Sequence, residues 1–141
     1  MIHPAAGRQL LGRRVGAPKW LDRRIASPGP YLTLCLSEAE YKAAMKHCRV
    51  APGAWINPGA DATSHHLVSE NKRVCVVCLG NMGGRSAIEV AGLLVHEAVH
   101  VWQEYADSIG ESTPGREQEA YAIQAIAQEL MAEYARRLPP C

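Results

Sequence analysis

The feature that most constrains this chain is a pair of histidines four residues apart inside a long helical pattern. The segment His96-Glu97-Ala98-Val99-His100 lies within an amphipathic stretch that predicts a helix over residues 86–109. Residues four apart in a helix lie one turn above each other, so both imidazoles can point at one metal ion. Glu97 lies about 100° around the helix from His96, within reach of a water at that metal. The spacing predicts a zinc site with Glu97 beside the water that the metal holds.

The predicted helix has two different faces. At 100° per residue, we expect the histidine pair to lie outside the main core stripe, on a polar side that also offers Glu89 and Glu104 as acceptors for the far imidazole nitrogens. The predicted apolar side comprises Ala87, Ala91, Leu94, Val95, Ala98, Trp102 and Tyr105, and the opposite side comprises Glu89, Leu93, His96, Glu97, His100 and Glu104.

The order of the other elements predicts the fold class. Ser37 and Glu40 form a capping-box pattern at the start of a helix, and Asn57-Pro58-Gly59 predicts a turn. Strands precede helices in blocks without βαβ alternation, which favours an α+β domain. The pattern predicts strands at 31–36, 54–57, 62–69 and 73–79, and helices at 38–48 and 116–138.

Charge and hydropathy limit the partners. Residues 1–27 form a basic arm with six basic side chains and one acid, whereas the whole chain carries a net charge of only +1. The arm leaves nucleic acid open as a partner, but only Trp20 stands among its basic residues, so we do not expect one. No apolar run reaches the length of a membrane span, and the N-terminus lacks a signal-peptide pattern, so we expect a cytoplasmic protein without a membrane partner.

Five cysteines occur without the spacing of a disulfide framework. Cys75 and Cys78 match C-x-x-C, but no second such motif completes a zinc ribbon. They stand in a Val-rich strand pattern, where residues three apart face opposite sides. We therefore expect buried, reduced thiols, with a redox pair as the alternative.

Catalytic zinc normally has three protein ligands, so the histidine pair needs a further residue. The longer H-E-x-x-H-x-x-G-x-x-H pattern fails, because Gln103 and Ala106 replace its glycine and third histidine. The last helix offers Glu117 and Glu119. Glu119 shares a stripe with apolar residues and requires a partner there, whereas Glu117 lies about 160° away on a solvent-facing side. We predict Glu119 as the third ligand.

These residues resemble the gluzincin branch of the zincin metallopeptidases, in which H-E-x-x-H on one helix is followed by a glutamate on the next. The stretch E-A-Y-A-I-Q beginning at Glu119 is similar to the glutamate-bearing helix of small bacterial and phage zincin-like peptidases. The resemblance covers residues 73–135 and implies Zn²⁺ held by His96, His100 and Glu119, with Glu97 as general base. It also implies a small sheet whose edge strand aligns a peptide substrate. Residues 1–72 match no family pattern.

The sequence thus predicts a single zincin-like metallopeptidase domain over residues 28–141, with a short, mostly antiparallel sheet packed on the two ligand-bearing helices. The alternative is a non-catalytic module that binds zinc and serves assembly or binding. No tyrosine is placed to stabilise the transition state, since Tyr105 and Tyr121 point away from the predicted ligands. One of His65 and His66 faces the cleft and can donate a hydrogen bond to the tetrahedral intermediate, or both are ordinary strand residues. Trp55 forms part of the substrate-binding wall or belongs to the core.

Overall fold

A computed structural model describes residues 15–21 and 30–139 as an α+β arrangement of a three-stranded sheet and three helices. The predicted basic arm lies mostly outside these residues, as does Cys141. The elements are β1 (Tyr31–Cys35), α1 (Glu38–His47), β2 (Ala62–Ser69), β3 (Lys72–Leu79), α2 (Ala87–Ser108) and α3 (Arg116–Arg137).

The sheet has the order β1-β3-β2 and is mixed. β2 and β3 form an antiparallel hairpin whose two turn residues, Glu70 and Asn71, both adopt left-handed backbone angles. β1 pairs with β3 in parallel, from Tyr31 opposite Val74 onward. The expectation of a mostly antiparallel sheet therefore holds for one of the two pairings. The chain between β1 and β3 is long enough for the crossover that a parallel pair requires.

The sheet is covered on both faces, which explains the unbroken burial of residues 74–79 of β3. Residues 75, 77 and 79 face α2 and α3, whereas residues 74, 76 and 78 face α1. Cys75 and Cys78 therefore lie in different core clusters and are free thiols, as predicted. A strand buried on both faces needs apolar residues at every position.

The helix starts follow the predicted capping chemistry. The Ser37 hydroxyl accepts a hydrogen bond from the Glu40 amide, and the Glu40 carboxylate reaches back to the Leu36 amide. Ser86 caps α2 in the same way through the Glu89 amide.

One predicted strand is absent. Residues 54–57 form an irregular segment, because the Asn57 amide donates to the Thr63 side chain at 2.9 Å instead of joining a strand ladder. Trp55 in this segment packs against the core cluster on the α1 side of the sheet, which supports its assignment to the core. None of the helices described by the structure is long and apolar enough to cross a membrane.

Candidate metal centre

The two histidines of the motif converge on one point outside the core. The Nε2 atoms of His96 and His100 are 3.1 Å apart, and the ring planes meet at 76°. Two nitrogens bound at about 2.0–2.1 Å to one tetrahedral zinc would be about 3.3 Å apart. Both side chains are exposed, so the pair is accessible to an ion. The donor type and the separation of the two nitrogens fit a zinc ion.

Glu97 is buried, although its helical position placed it on the polar side. Its residue surface is only 3% exposed, and its Oε2 accepts a hydrogen bond of 2.5 Å from the Ser64 hydroxyl of β2. The helical pattern could not predict the burial of Glu97, because that burial depends on β2 packing against the polar side of α2. A buried carboxylate needs such a donor, and the edge strand provides it.

The pair and Glu97 share a cleft of about 510 Å³ between β2 and α2. Ser64 and His66 reach it from β2, while Gln103, Glu104 and Asp107 extend its wall along α2. Beyond His96 and Glu97, a second depression of about 490 Å³ continues toward Arg85 and Asp61. The motif therefore lies in an open groove that runs along the edge strand.

His66 is the cleft-facing member of the two adjacent histidines. Its ring lies within electrostatic range of Glu104, His100 and Glu97. Partial desolvation between β2 and α2, with a smaller effect of the His100 ring, lowers the pKa of His66 against the opposing influence of the carboxylates. His65 faces the other side of the sheet, where its Nε2 lies 2.8 Å from the Trp55 carbonyl and its ring packs on Tyr41.

Glu119 has a different partner from the one that the sequence predicted. Its Oε2 accepts a hydrogen bond of 2.8 Å from the Trp102 indole. Trp102 projects from the buried side of α2, about 140° around the helix from the histidine pair. The structure therefore does not bring Glu119 to His96 and His100. Periodicity correctly placed this acid at the head of a partly buried stripe, where the Trp102 indole N–H donates to it.

Within residues 15–21 and 30–139, no three His, Cys, Asp or Glu side chains are grouped so as to hold a metal ion as they stand. The third ligand stays a prediction. Of the two acids predicted to orient the imidazoles, Glu104 lines the cleft with His100, while Glu89 lies in the second depression with His96. The His100 Nδ1 atom has another neighbour, Gln103 Oε1, at 3.2 Å.

The two tyrosines considered for transition-state stabilisation lie away from the cleft, as predicted. Tyr105 packs in the core against Trp102, and Tyr121 is 67% exposed on α3. Comparison of the chain with protein-family models, curated proteins and solved structures finds no match. The function therefore has to be argued from the cleft itself.

Proposed function

We propose that this protein is a zinc-dependent metallopeptidase that hydrolyses peptide bonds in the cleft between β2 and α2. The observation that carries the proposal is the 3.1 Å approach of two imidazole nitrogens beside a buried carboxylate. His96 and His100 would hold the ion. When bound, zinc supplies a Lewis acid that polarises the scissile carbonyl and lowers the pKa of a water toward about 7.

Glu97 acts as the general base in this proposal. Its carboxylate takes the proton of the attacking water and passes it to the leaving amine. The hydrogen bond from Ser64 restrains one carboxylate oxygen, which leaves the other to exchange the proton. An extended peptide lying beside β2 would bring its carbonyl groups to the histidine pair, since β2 is an edge strand of the sheet.

Glu119 remains our predicted third ligand, and it would have to exchange the Trp102 indole for the metal. The alternative function is a module that binds zinc through the same histidine pair without cleaving. The two functions differ in what they require of Glu97, because a binding module needs no base.

Metal content and hydrolysis of a broad peptide panel, measured on the same preparations, separate these functions. We expect about one zinc per chain in the wild type and in Glu97→Gln, and markedly less in His96→Ala. Hydrolysis should be present in the wild type and absent in Glu97→Gln. Bound zinc with no hydrolysis in either form would favour the binding module, and a wild type that binds no zinc would exclude both.

A further inference from the structure

The cleft contains one more chemically competent group that the proposed mechanism does not use, the imidazole of His66. β2 places it there by strict alternation: Ser64 and His66 are two residues apart, so their side chains lie on the same face of the sheet. The bond from Ser64 to Glu97 fixes that face against α2. His66 is thereby positioned one step further along the cleft, toward His100 and Glu104.

The neighbouring His65 provides a comparison, because its imidazole is held by contacts within the protein. His65 has a backbone carbonyl at 2.8 Å and a tyrosine ring at 4.7 Å between centroids. The His66 ring, by contrast, forms no hydrogen bond with any residue in the described ranges. Its ring N–H is therefore available to a ligand, and the ring is exposed on the side of the cleft.

We propose that His66 is a catalytic residue that donates a hydrogen bond to the substrate carbonyl oxygen as negative charge develops on it. The proposal rests on the proposed function. His66 lines the same cleft as the histidine pair and Glu97, and its ring forms no hydrogen bond with a described residue, so its N–H can meet a substrate held there. No covalent bond of His66 forms or breaks. As water adds to the carbonyl carbon, the π electron pair of the carbonyl moves to its oxygen, and the His66 N–H donates a hydrogen bond to that oxygen while keeping its proton.

The test compares His66→Ala, His66→Gln and the control His65→Gln with the wild type. Removing one such donor costs about 10²–10³-fold in kcat. We expect that loss in His66→Ala with KM and zinc affinity within threefold of the wild type. His66→Gln retains an N–H donor and should recover part of kcat. His65→Gln alters the same strand on its other face and should keep kcat.

Binding of a phosphonate peptide, built on the best-cleaved member of the panel, gives a readout that does not depend on turnover. Its tetrahedral oxygens mimic the charge that His66 would meet, so His66→Ala should bind it about 10²-fold more weakly. The variant should still bind the corresponding uncleaved peptide normally in a Glu97→Gln background.

Three results would overturn the assignment. Unchanged kcat and phosphonate affinity in His66→Ala would leave zinc hydrolysis standing and remove only this role. A large loss of zinc affinity in His66→Ala would make His66 a metal ligand instead. A wild type that neither hydrolyses peptides nor binds the phosphonate would overturn both the role of His66 and the proposed peptidase function. This outcome is distinguishable from the other two because it needs no variant.

Discussion

At the scale of single residues, the hydrogen bond between Ser64 and Glu97 has the clearest consequence. Glu97 is a buried carboxylate on a helix, and the Ser64 hydroxyl of the sheet is its hydrogen-bond donor at 2.5 Å. Leaving a buried acceptor without its donor lowers the free energy of unfolding by about 1–3 kcal/mol. The bond therefore contributes both to the stability of the packed sheet and helix and to the orientation of the proposed base.

Replacing Ser64 with alanine tests this contribution. We expect Ser64→Ala to lower the free energy of unfolding by about 1–3 kcal/mol, measured by urea denaturation. Ser64→Thr keeps the hydroxyl on a β-branched residue that suits a strand, and should stay close to the wild type. Ser112→Ala makes the same change at an exposed loop residue whose side chain forms no hydrogen bond with a described residue, and serves as the control. Equal stability of Ser64→Ala and Ser112→Ala would contradict a contribution of the bond to Glu97.

Residue-level prediction succeeded where the interaction is local in sequence and failed where it is not. The approach of His96 to His100 follows from helical spacing alone and is confirmed as a geometry. The burial of Glu97 and the pairing of Glu119 with Trp102 depend on how β2 and α3 pack on α2. The apolar periodicity of α2 does not show that β2 and α3 pack against it at these positions.

At the scale of elements, the end of α3 is anchored by a buried carboxylate. Glu133 is 4% exposed and pairs with Lys19 Nζ at 2.9 Å and with the guanidinium of Arg136 at 2.6 Å. Burial by itself would raise the pKa of Glu133, but its hydrogen bonds to Arg136 and Lys19 outweigh burial and lower the pKa below its ordinary value. The contact ties the described segment 15–21 to the C-terminal helix.

This anchor predicts a pH-dependent contribution to stability. Since the folded protein holds the pKa of Glu133 below that of the unfolded chain, its contribution is complete above about pH 4.5. That contribution is lost as the pH falls through the folded-state pKa. Glu133→Gln should therefore lower the free energy of unfolding by about 1–3 kcal/mol at pH 7 and have a smaller effect at pH 3.

Denaturant unfolding at several pH values measures the difference between the wild type and Glu133→Gln. Glu129→Gln on the same helix provides the control, because Glu129 forms no ion pair with any residue the structure describes. A destabilisation by Glu133→Gln that is constant between pH 3 and pH 7 would show that its charge is not the cause.

Element positions were largely predictable from the sequence, whereas their pairing was not. The predicted strand 62–69 and the predicted helices agree with β2, α1, α2 and α3 to within a residue or two at each end, since caps, turns and periodicity are local signals. The parallel neighbour of β3 was not predictable, because a crossover leaves no mark in either strand. The segment around Trp55 has strand-like composition but is held by side-chain contacts with β2 instead of a strand ladder.

At the scale of the whole molecule, both core clusters contain free thiols. Cys75 lies on the α2 side of the sheet, and Cys35, Cys48 and Cys78 lie on the α1 side. Burial is the main cause that raises the pKa of Cys75, so the reactive thiolate is suppressed in the folded state. Labelling these thiols therefore requires opening of the core.

We expect a Cys141→Ser variant to react with an aromatic disulfide reagent at the rate of core opening, and all four remaining thiols to react at once in denaturant. A spectrophotometric time course measures both rates. Denaturant well below the unfolding midpoint should accelerate labelling in proportion to the population of opened molecules. Rapid labelling of one thiol in native buffer would show that its cluster opens independently.

The two parts of the proposed centre differ in how much of the chain they need. The imidazoles are four residues apart and meet as soon as their own helical turn forms, whereas the contact that seats Glu97 joins residues 33 positions apart. The two imidazoles can therefore come together before the hairpin docks, whereas seating of Glu97 waits for it. A nascent or partly opened chain of the proposed peptidase would present its histidine pair without a positioned base.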